Sequence, residues 1–161
     1  VKDPGSSGEA NLTGGRIDDS AGINGPGESR SGSGLSNYDG FGTPIPGVTF
    51  QTVYFRFDQS RIESTESGKL DAIANYLKSN PGTGVVIEGN CDARGSEEYN
   101  RALGERRALT AQEYLLEQGI APSRMKTLSY GKEKLVALGN TEEDHMKNRR
   151  DDFVAVKLLN P

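Results

Sequence analysis

Between residue 50 and the C-terminus, apolar residues recur with the two periods that distinguish helices from strands. Strands are predicted where β-branched, aromatic or alternating apolar residues lie between turn signals. Helices are predicted where apolar residues recur three and four positions apart, bounded by capping residues, glycine or proline. The predicted strands cover residues 51–57, 85–87, 125–130 and 152–158, and the predicted helices lie around 70–77, 96–119 and 141–148.

The resulting order, β-α-β-α-β-α-β, predicts an α/β (α+β) sandwich in which one mixed sheet is backed by helices. The strand at 85–87 is expected to be buried on both faces. In the long helix, Ser96 is the predicted N-cap, and Glu97 and Glu98 occupy the first turn, where the helix dipole favours anions. Its predicted core stripe is Gly104, Ala108, Ala111 and Leu115.

Residues 1–47 lack this periodicity and differ in composition. Gly, Ser and Pro account for 23 of these 47 residues. Such a segment has too few apolar side chains to offset the entropy of ordering it, about 1–2 kcal/mol per residue for the backbone alone. We therefore interpret 1–47 as a disordered, flexible tether and 48–161 as one compact domain. A random coil of this length has an average span of about 40 Å.

The charge balance excludes several classes of protein. The predicted domain has 16 basic and 17 acidic residues, a net charge of 16 − 17 = −1, which leaves no electrostatic footprint for nucleic acid. No apolar run approaches the roughly 20 residues of a membrane-spanning helix. The single histidine, His145, and the single cysteine, Cys91, give no metal-ligand spacing, so neither a metal nor a cofactor is expected. Cys91 is predicted to be a buried structural thiol beside Asp92.

The most specific motif runs from Gly89 to Ala108. It consists of Gly-Asn-Cys-Asp-Ala-Arg-Gly-Ser-Glu-Glu-Tyr-Asn-Arg-Ala-Leu-Gly-Glu-Arg-Arg-Ala, and it lies between Val-Tyr-Phe-Arg-Phe-Asp at 53–58 and Ser-Tyr-Gly-Lys-Glu-Lys at 129–134, with Asn-Arg-Arg at 148–150. Together these segments closely resemble the OmpA-like peptidoglycan-binding domain over roughly residues 50–158. Within that family they are most similar to the peptidoglycan-associated lipoproteins of the Tol–Pal system.

The resemblance implies a non-catalytic domain that binds the peptide stem of peptidoglycan, chiefly its diaminopimelate residue. It implies a place at the periplasmic face of the outer membrane of a Gram-negative bacterium and a TolB-like β-propeller as partner. It also implies an N-terminal lipid-anchoring cysteine, which has no counterpart before Cys91. The implied binding positions are Phe57, Asp58, Asp92, Arg94, Leu103 and Arg107, and Asn100 and Arg150 match positions that line the pocket in some members.

The chemistry of these residues suits an amino-acid head that carries both an ammonium and a carboxylate. Asp92, at the end of a strand, is expected to bind the ammonium. Arg107 lies on one helix face with Asn100 and Leu103, about 60° from the core stripe. We therefore expect Arg107 to be reached by solvent and to grip the carboxylate through two parallel hydrogen bonds. Phe57 and Leu103 are expected to form an apolar wall.

Other interpretations of the same residues remain open. Asp92 could instead cap backbone amides in its own turn, and Arg107 could form a surface ion pair. Phe57 could instead occupy a position in the core. Arg150 is followed by Asp151 and Asp152, which are expected to compete for its charge.

Alternative functions are considered for the same residues and for the family that they resemble. A hydrolase with Asp58 and Asp92 as a carboxylate pair would need one raised pKa, whereas Arg107 is expected to lower the pKa of Asp92, so we expect no enzyme. A protein-interaction module for a TolB-like partner is the second class considered. A cell-wall-binding domain of an OmpA-type porin or of a flagellar stator is a further alternative.

Overall fold

The computed structural model describes residues 38–161. The compact unit within them runs from Gly40 to Pro161. Residues 1–37 lie outside the described residues, and for them the tether stays a prediction. No helix in the described part of the chain has the length and apolar character needed to cross a bilayer.

Five strands and three helices lie within residues 38–161. A 3-10 turn at Pro122–Arg124 precedes the fourth strand. The strands are β1 (Gly42–Pro44), β2 (Val53–Tyr54), β3 (Thr83–Asn90), β4 (Met125–Gly131) and β5 (Arg150–Leu158), and the helices are α1 (Ser67–Ser79), α2 (Glu97–Glu117) and α3 (Glu142–Asn148).

The strands form one mixed sheet, as predicted. β3 is antiparallel to β5 on one side and parallel to β4 on the other. The far edge of β5 pairs with β1 near its C-terminus and with β2 near its N-terminus, both antiparallel. Because β3 and β4 are parallel, the chain crosses between them through α2, and the end of β3 therefore lies beside the start of that helix.

The structure differs from the prediction at the start of the domain. Residues 42–44, inside the predicted tether, form β1 and pair with residues 156–158 of β5, so the folded unit begins before residue 48. A Cβ at Gly42 would come within 2.8 Å of the Lys157 carbonyl oxygen. The glycine that indicated disorder in the sequence is the residue that permits this close approach.

The core lies between the sheet and α1 and α2. Residues 85–87 of β3 are fully buried, as predicted, and Val85 and Ile87 pack in the core. The predicted stripe of α2 is buried along its whole length. Ser96 caps α2 by accepting a hydrogen bond from the Tyr99 amide, and Thr141 and Asp144 form a capping box on α3.

Two glycines bring α2 unusually close to β3. A Cβ at Gly89 would overlap the Gly104 carbonyl oxygen, and a Cβ at Gly104 would overlap the Ser129 hydroxyl of β4. The contact lies at the C-terminal end of β3, where the chain turns towards the start of α2. It fixes the distance between the two segments that carry the candidate site.

Candidate ligand-binding site

A cleft of about 100 Å³ lies where the turns after β2 and β3 meet the first turns of α2. It is smaller than most small-molecule pockets, which measure roughly 300–1,000 Å³. The residues that line it are Phe57, Asp58, Cys91, Asp92, Arg94, Gly95, Tyr99, Asn100, Leu103 and Arg107. Seven of the eight predicted site residues are among them, although they come from three separate segments of the chain.

Arg150 is the predicted site residue that the cleft does not contain. It begins β5 with its guanidinium bonded elsewhere, donating from Nε to Asp152 Oδ2 at 3.0 Å and from NH2 to the Lys134 carbonyl at 2.9 Å. The expected competition from a following acid is therefore present, through Asp152. The preceding residue, Arg149, approaches the site instead, with NH1 3.5 Å from Asp92 Oδ2.

Arg107 forms the bottom of the cleft, and the expectation that solvent reaches it was wrong. Its exposure is 0 %, because the buried face of α2 is wider than the predicted stripe and also includes Asn100 and Leu103. The guanidinium donates to the carbonyl oxygens of Gln59 at 2.8 Å, Asn90 at 2.9 Å and Arg56 at 3.3 Å. We call Arg107 and these three carbonyls the floor.

The floor holds both walls of the cleft together. Arg56 and Gln59 are the two ends of a turn closed by a hydrogen bond from the Gln59 amide to the Arg56 carbonyl at 3.1 Å. Asn90 ends β3, so Arg107 ties this turn to the opposite wall. An arginine has five N–H donors. The three bonds to carbonyls use three of those on Arg107, and the other two donate to no group among the described residues.

Tyr99 provides a second attachment for the same turn, and the sequence analysis missed it. Its hydroxyl donates to Asp58 Oδ1, and this hydrogen bond raises the pKa of the phenol. Asp58 has a left-handed backbone, with φ of 57°, which is uncommon for a residue other than glycine. A signal was available in the sequence, since Tyr99 lies one helical turn before Leu103 and shares its face.

The opening of the cleft is formed by Phe57, Asp92 and Arg94, which we call the mouth. Arg94 donates from Nε to Asp92 Oδ1 at 3.2 Å and from NH2 to Oδ2 at 2.7 Å, a forked ion pair. The Arg94 guanidinium lies 4.4 Å from the centre of the Phe57 ring, which is 56 % exposed. Phe57 is thus a wall residue rather than a core residue.

The carboxylate of Asp92 is held by three groups. Burial alone would raise its pKa, but the hydrogen bonds from the Arg94 side chain and amide outweigh burial and lower it. The expected direction is confirmed, but Arg94 rather than Arg107 is the principal cause. The Arg94 amide bond, at 3.0 Å, also shows that Asp92 caps its own turn. Arg149 is the third group, and its Nε donates a hydrogen bond to the Phe55 carbonyl at 2.9 Å.

The turn between β3 and α2 is fixed by its neighbours. The Asn100 side chain donates to the Arg94 carbonyl at 2.6 Å, and Lys132 Nζ donates to the Gly95 carbonyl at 2.7 Å. Cys91 is buried, and its thiol donates to the Asn100 carbonyl at 3.2 Å. Burial raises the pKa of this thiol to about 11, and the prediction of a buried cysteine is confirmed.

A buried acid, Asp151, faces the helix side of the sheet near the floor. It lies opposite Gly89 in the β3–β5 ladder. Neither carboxylate oxygen has a hydrogen-bond donor among the described residues. Burial raises the pKa of Asp151 well above its ordinary value of 3.8, with Arg107 opposing the shift and Asp152 adding to it.

The arrangement is suited to charge recognition. A carboxylate-pair hydrolase needs a general acid with a raised pKa, whereas the pKa of Asp92 is lowered. His, Cys, Asp and Glu side chains form no cluster able to hold a metal ion in residues 38–161. The cleft combines two carboxylates, two guanidinium groups and an apolar wall, the pattern of a site for a small charged ligand.

The fold and this cleft are those of a small α+β recognition domain, and comparison with known proteins gives its family. Residues 54–149 match the OmpA family. The match covers more than half of the chain, and the chain belongs to the OmpA family.

Its relatives include several proteins named peptidoglycan-associated lipoprotein. The chain is 48 % identical over 99 residues to the protein of Pseudomonas putida, covering 62 % of this chain and 59 % of that protein. It is 39 % identical over 128 residues to the Legionella pneumophila protein, covering 75 % and 73 %. The chain thus spans about three fifths of the length of the Pseudomonas putida relative.

Solved structures agree on the fold. The peptidoglycan-associated lipoprotein of Burkholderia pseudomallei is similar with a TM-score of 0.64 at 42 % identity, covering 65 % of this chain and 89 % of that one. The C-terminal domain of Helicobacter pylori MotB is similar with a TM-score of 0.62 at 20 % identity, covering 69 % and 88 %. The second likeness is evidence of fold alone.

Proposed function

We propose that this domain binds the peptide stem of peptidoglycan without catalysis, and that its cleft receives the diaminopimelate head. One observation carries the proposal: a single cleft gathers seven residues that the sequence marks for this role, from three distant segments. The names of the relatives support it, because they describe an association with peptidoglycan and no reaction.

The floor and the mouth offer one partner to each charge of such a head. The two N–H groups of Arg107 that bond no carbonyl are the proposed donors to the ligand carboxylate, and such charge-assisted bonds contribute about 1.5–3 kcal/mol each. Asp92 is the proposed partner of the ammonium, with Asp58 as a second anion in the same cleft. Phe57 and Leu103 would contact the methylene chain between the head and the stem.

The same proposal gives the protein a place in the cell envelope. We propose that it tethers the outer membrane to the cell wall from the periplasmic side of a Gram-negative bacterium, as part of a Tol–Pal-type system. A lipid anchor at the N-terminal side and a flexible tether would let the domain reach the wall. Each stem contact is expected to be weak, but a sacculus repeats the ligand, so many tethered copies would hold firmly.

Co-sedimentation with purified sacculi tests the binding. Wild-type protein should sediment with sacculi, and Arg107→Lys should lose most of this binding, because a lysine ammonium cannot reproduce the guanidinium fork. Arg106→Ala is the matched control, since Arg106 is the exposed neighbour on the same helix. Circular dichroism confirms that each variant is folded. Equal sedimentation of Arg107→Lys and wild type would contradict the assignment of Arg107.

The identity of the ligand is tested by titration with two synthetic stem peptides. One contains diaminopimelate, and the other contains lysine, which has the ammonium but lacks the second carboxylate. We expect the diaminopimelate peptide to bind at least about tenfold more tightly, since a tenfold ratio corresponds to about 1.4 kcal/mol, within the worth of one charge-assisted bond. Equal affinities would show that the carboxylate is not recognised.

A TolB-like β-propeller is the finer proposal for a protein partner. It is supported by the resemblance of the segments 89–108 and 129–134 to the lipoproteins of the Tol–Pal system. Competition between purified TolB and sacculi for the domain would indicate a shared surface around the cleft. Simultaneous binding would place the partner elsewhere on the domain, and no binding of TolB would remove this part of the proposal.

A further inference from the structure

We propose that Arg94 sets the affinity threshold of the cleft by acting as an internal competitor for Asp92, so that a head with both charges displaces it and a simple amine does not. The inference rests on the proposed function and concerns the same cleft. It gives Arg94 a different role from that of a direct ligand contact. The Arg94 guanidinium takes the place that the ligand ammonium needs.

The contacts at the mouth support this role. Arg94 engages both oxygens of Asp92, at 3.2 and 2.7 Å, while its guanidinium stacks on Phe57. The carboxylate proposed to bind the ammonium is therefore already paired with a cation of this chain. With Arg94 lining it, the cleft has a volume of only about 100 Å³.

Displacement of Arg94 leaves no charge without a partner. Its side chain is 41 % exposed, and NH1 lies 3.8 Å from Glu142 Oε1, on a side chain that is 61 % exposed. Arg94 therefore has a second carboxylate within reach in solvent. Asp92 keeps Arg149 NH1 at 3.5 Å and the amide bond from its own turn. Both charges thus keep an opposite charge within reach when Arg94 leaves Asp92, as an exchangeable group requires.

The different response of the two ligands follows from comparing the bonds that each one breaks and forms in the cleft. A lysine ammonium would replace a forked, stacked guanidinium at Asp92 with a point charge and gain nothing at the floor. A diaminopimelate head makes the same exchange and adds its carboxylate to Arg107. Competition at Asp92 weakens both ligands, but it brings the lysine peptide below useful affinity first, because that peptide has no compensating contact.

Titration of an Arg94→Ala variant with the two stem peptides tests the inference by the sign of the change. We expect tighter binding of both peptides, with the affinity for the lysine peptide rising by about tenfold from a very low value, so that it becomes measurable. Arg101→Ala is the control for the loss of one positive charge, because Arg101 pairs with Glu133 outside the cleft. An equal gain in Arg101→Ala would overturn the inference.

Two further outcomes separate the inference from the proposed function. Weaker binding of diaminopimelate by Arg94→Ala would show that Arg94 is a ligand contact, which overturns the inference and leaves the function standing. Failure of the wild type to bind either peptide would overturn both. Without ligand, NMR titration of the Asp92 carboxyl should show a higher pKa in Arg94→Ala than in wild type, and an unchanged pKa would overturn the inference.

Discussion

The floor and the mouth of the cleft each contain an arginine, but the two arginines differ in burial and in the kind of partner they bind. Arg107 is fully buried and donates to three backbone carbonyls from two separate segments. The Arg94 side chain is 41 % exposed and makes its forked pair with a side-chain carboxylate, that of Asp92. Carbonyls of the main chain cannot leave their place, whereas a side-chain carboxylate can exchange its partner. The floor is therefore part of the fold, and the mouth is a part of the site that can change.

Because of this difference, the stability of the domain and its affinity for a ligand should depend on different residues of the cleft. A charge as deeply buried as Arg107 is tolerated because each nitrogen of its guanidinium donates to a backbone carbonyl, and removing it takes away the side-chain donor of the buried Asn90 carbonyl. The Arg94 side chain is 41 % exposed, so solvent screens its pair with the buried Asp92, and this pair should contribute about 1 kcal/mol to folding. Substitutions in the floor should therefore reduce both quantities, and substitutions in the mouth should change binding more than stability.

The largest expected effect comes from Arg107→Ala. We expect the free energy of unfolding to fall by about 3–5 kcal/mol, because truncating a fully buried side chain leaves a cavity and the buried Asn90 carbonyl loses its donor. Denaturant unfolding monitored by circular dichroism measures the change. Arg106→Ala, on the exposed side of the same turn, should stay within about 0.5 kcal/mol of wild type. A similar small change in Arg107→Ala would remove the distinction between floor and mouth.

The second prediction contrasts the acid near the floor with its neighbour on the opposite face of the sheet. The pKa of Asp151 is raised in the folded protein, so folding is favoured when this group is protonated. Its contribution to stability is complete below the ordinary value of 3.8 and is lost as the pH rises towards the folded pKa. Asp151→Asn should therefore stabilise the domain at pH 7, by about 1–3 kcal/mol for a buried unpaired polar group, and match wild type at pH 3.

The control is Asp152→Asn, which should have the opposite sign at pH 7. Asp152 accepts from Arg150 Nε at 3.0 Å and from the Thr52 hydroxyl at 3.1 Å, so its charge has partners. Thermal or denaturant unfolding at pH 3, 5 and 7 measures both variants. A loss of stability in Asp151→Asn at pH 7 would show that the ionised carboxylate is satisfied in the folded protein.

The sequence was sufficient to predict the elements of the fold because their patterns are local. The spans of the three helices, the stripe of α2, the Ser96 cap and the buried residues of β3 all depend on spacings within one segment. β1 could not be predicted, since its residues carry no apolar alternation and its pairing is with a strand more than 100 residues away. The glycine of β1 permits close packing against β5, but composition alone does not distinguish a glycine used in this way from one in a disordered segment.

The site shows the same limit. The resemblance identified the residues of the cleft, but the environment of each depends on contacts between segments. Arg107 was expected in solvent because helical spacing places it off the core stripe, and the turn after β2 that covers it is distant in sequence. The Asp92–Arg94 pair is local, yet its competition with a ligand becomes evident only with both groups in one cleft.

The third prediction concerns the acid of the mouth. The pKa of Asp92 is lowered in the folded protein, so its contribution is present above the ordinary value of 3.8 and is lost as the pH falls through the folded pKa. We expect wild type to lose about 1 kcal/mol more stability than Asp92→Asn between pH 5 and pH 2. Unfolding curves across this range measure the difference, and parallel pH profiles would contradict it.

The smallest expected effect is that of Tyr99→Phe, which tests whether the turn between the floor and the mouth needs its second attachment. The substitution removes one half-exposed hydroxyl, so the cost in stability should be about 0.5 kcal/mol. Tyr114→Phe is a matched control, because the Tyr114 hydroxyl makes the same kind of bond, to Asp71 Oδ1 at 2.7 Å, away from the cleft. Both variants should unfold alike, whereas affinity for the diaminopimelate peptide should fall several-fold in Tyr99→Phe alone.

A double-mutant cycle with Asp58→Asn should be non-additive, since both changes remove the same hydrogen bond. Equal affinities of the two tyrosine variants would mean that Arg107 holds the Phe57–Asp58 turn unaided, and that the floor by itself positions the wall of the mouth.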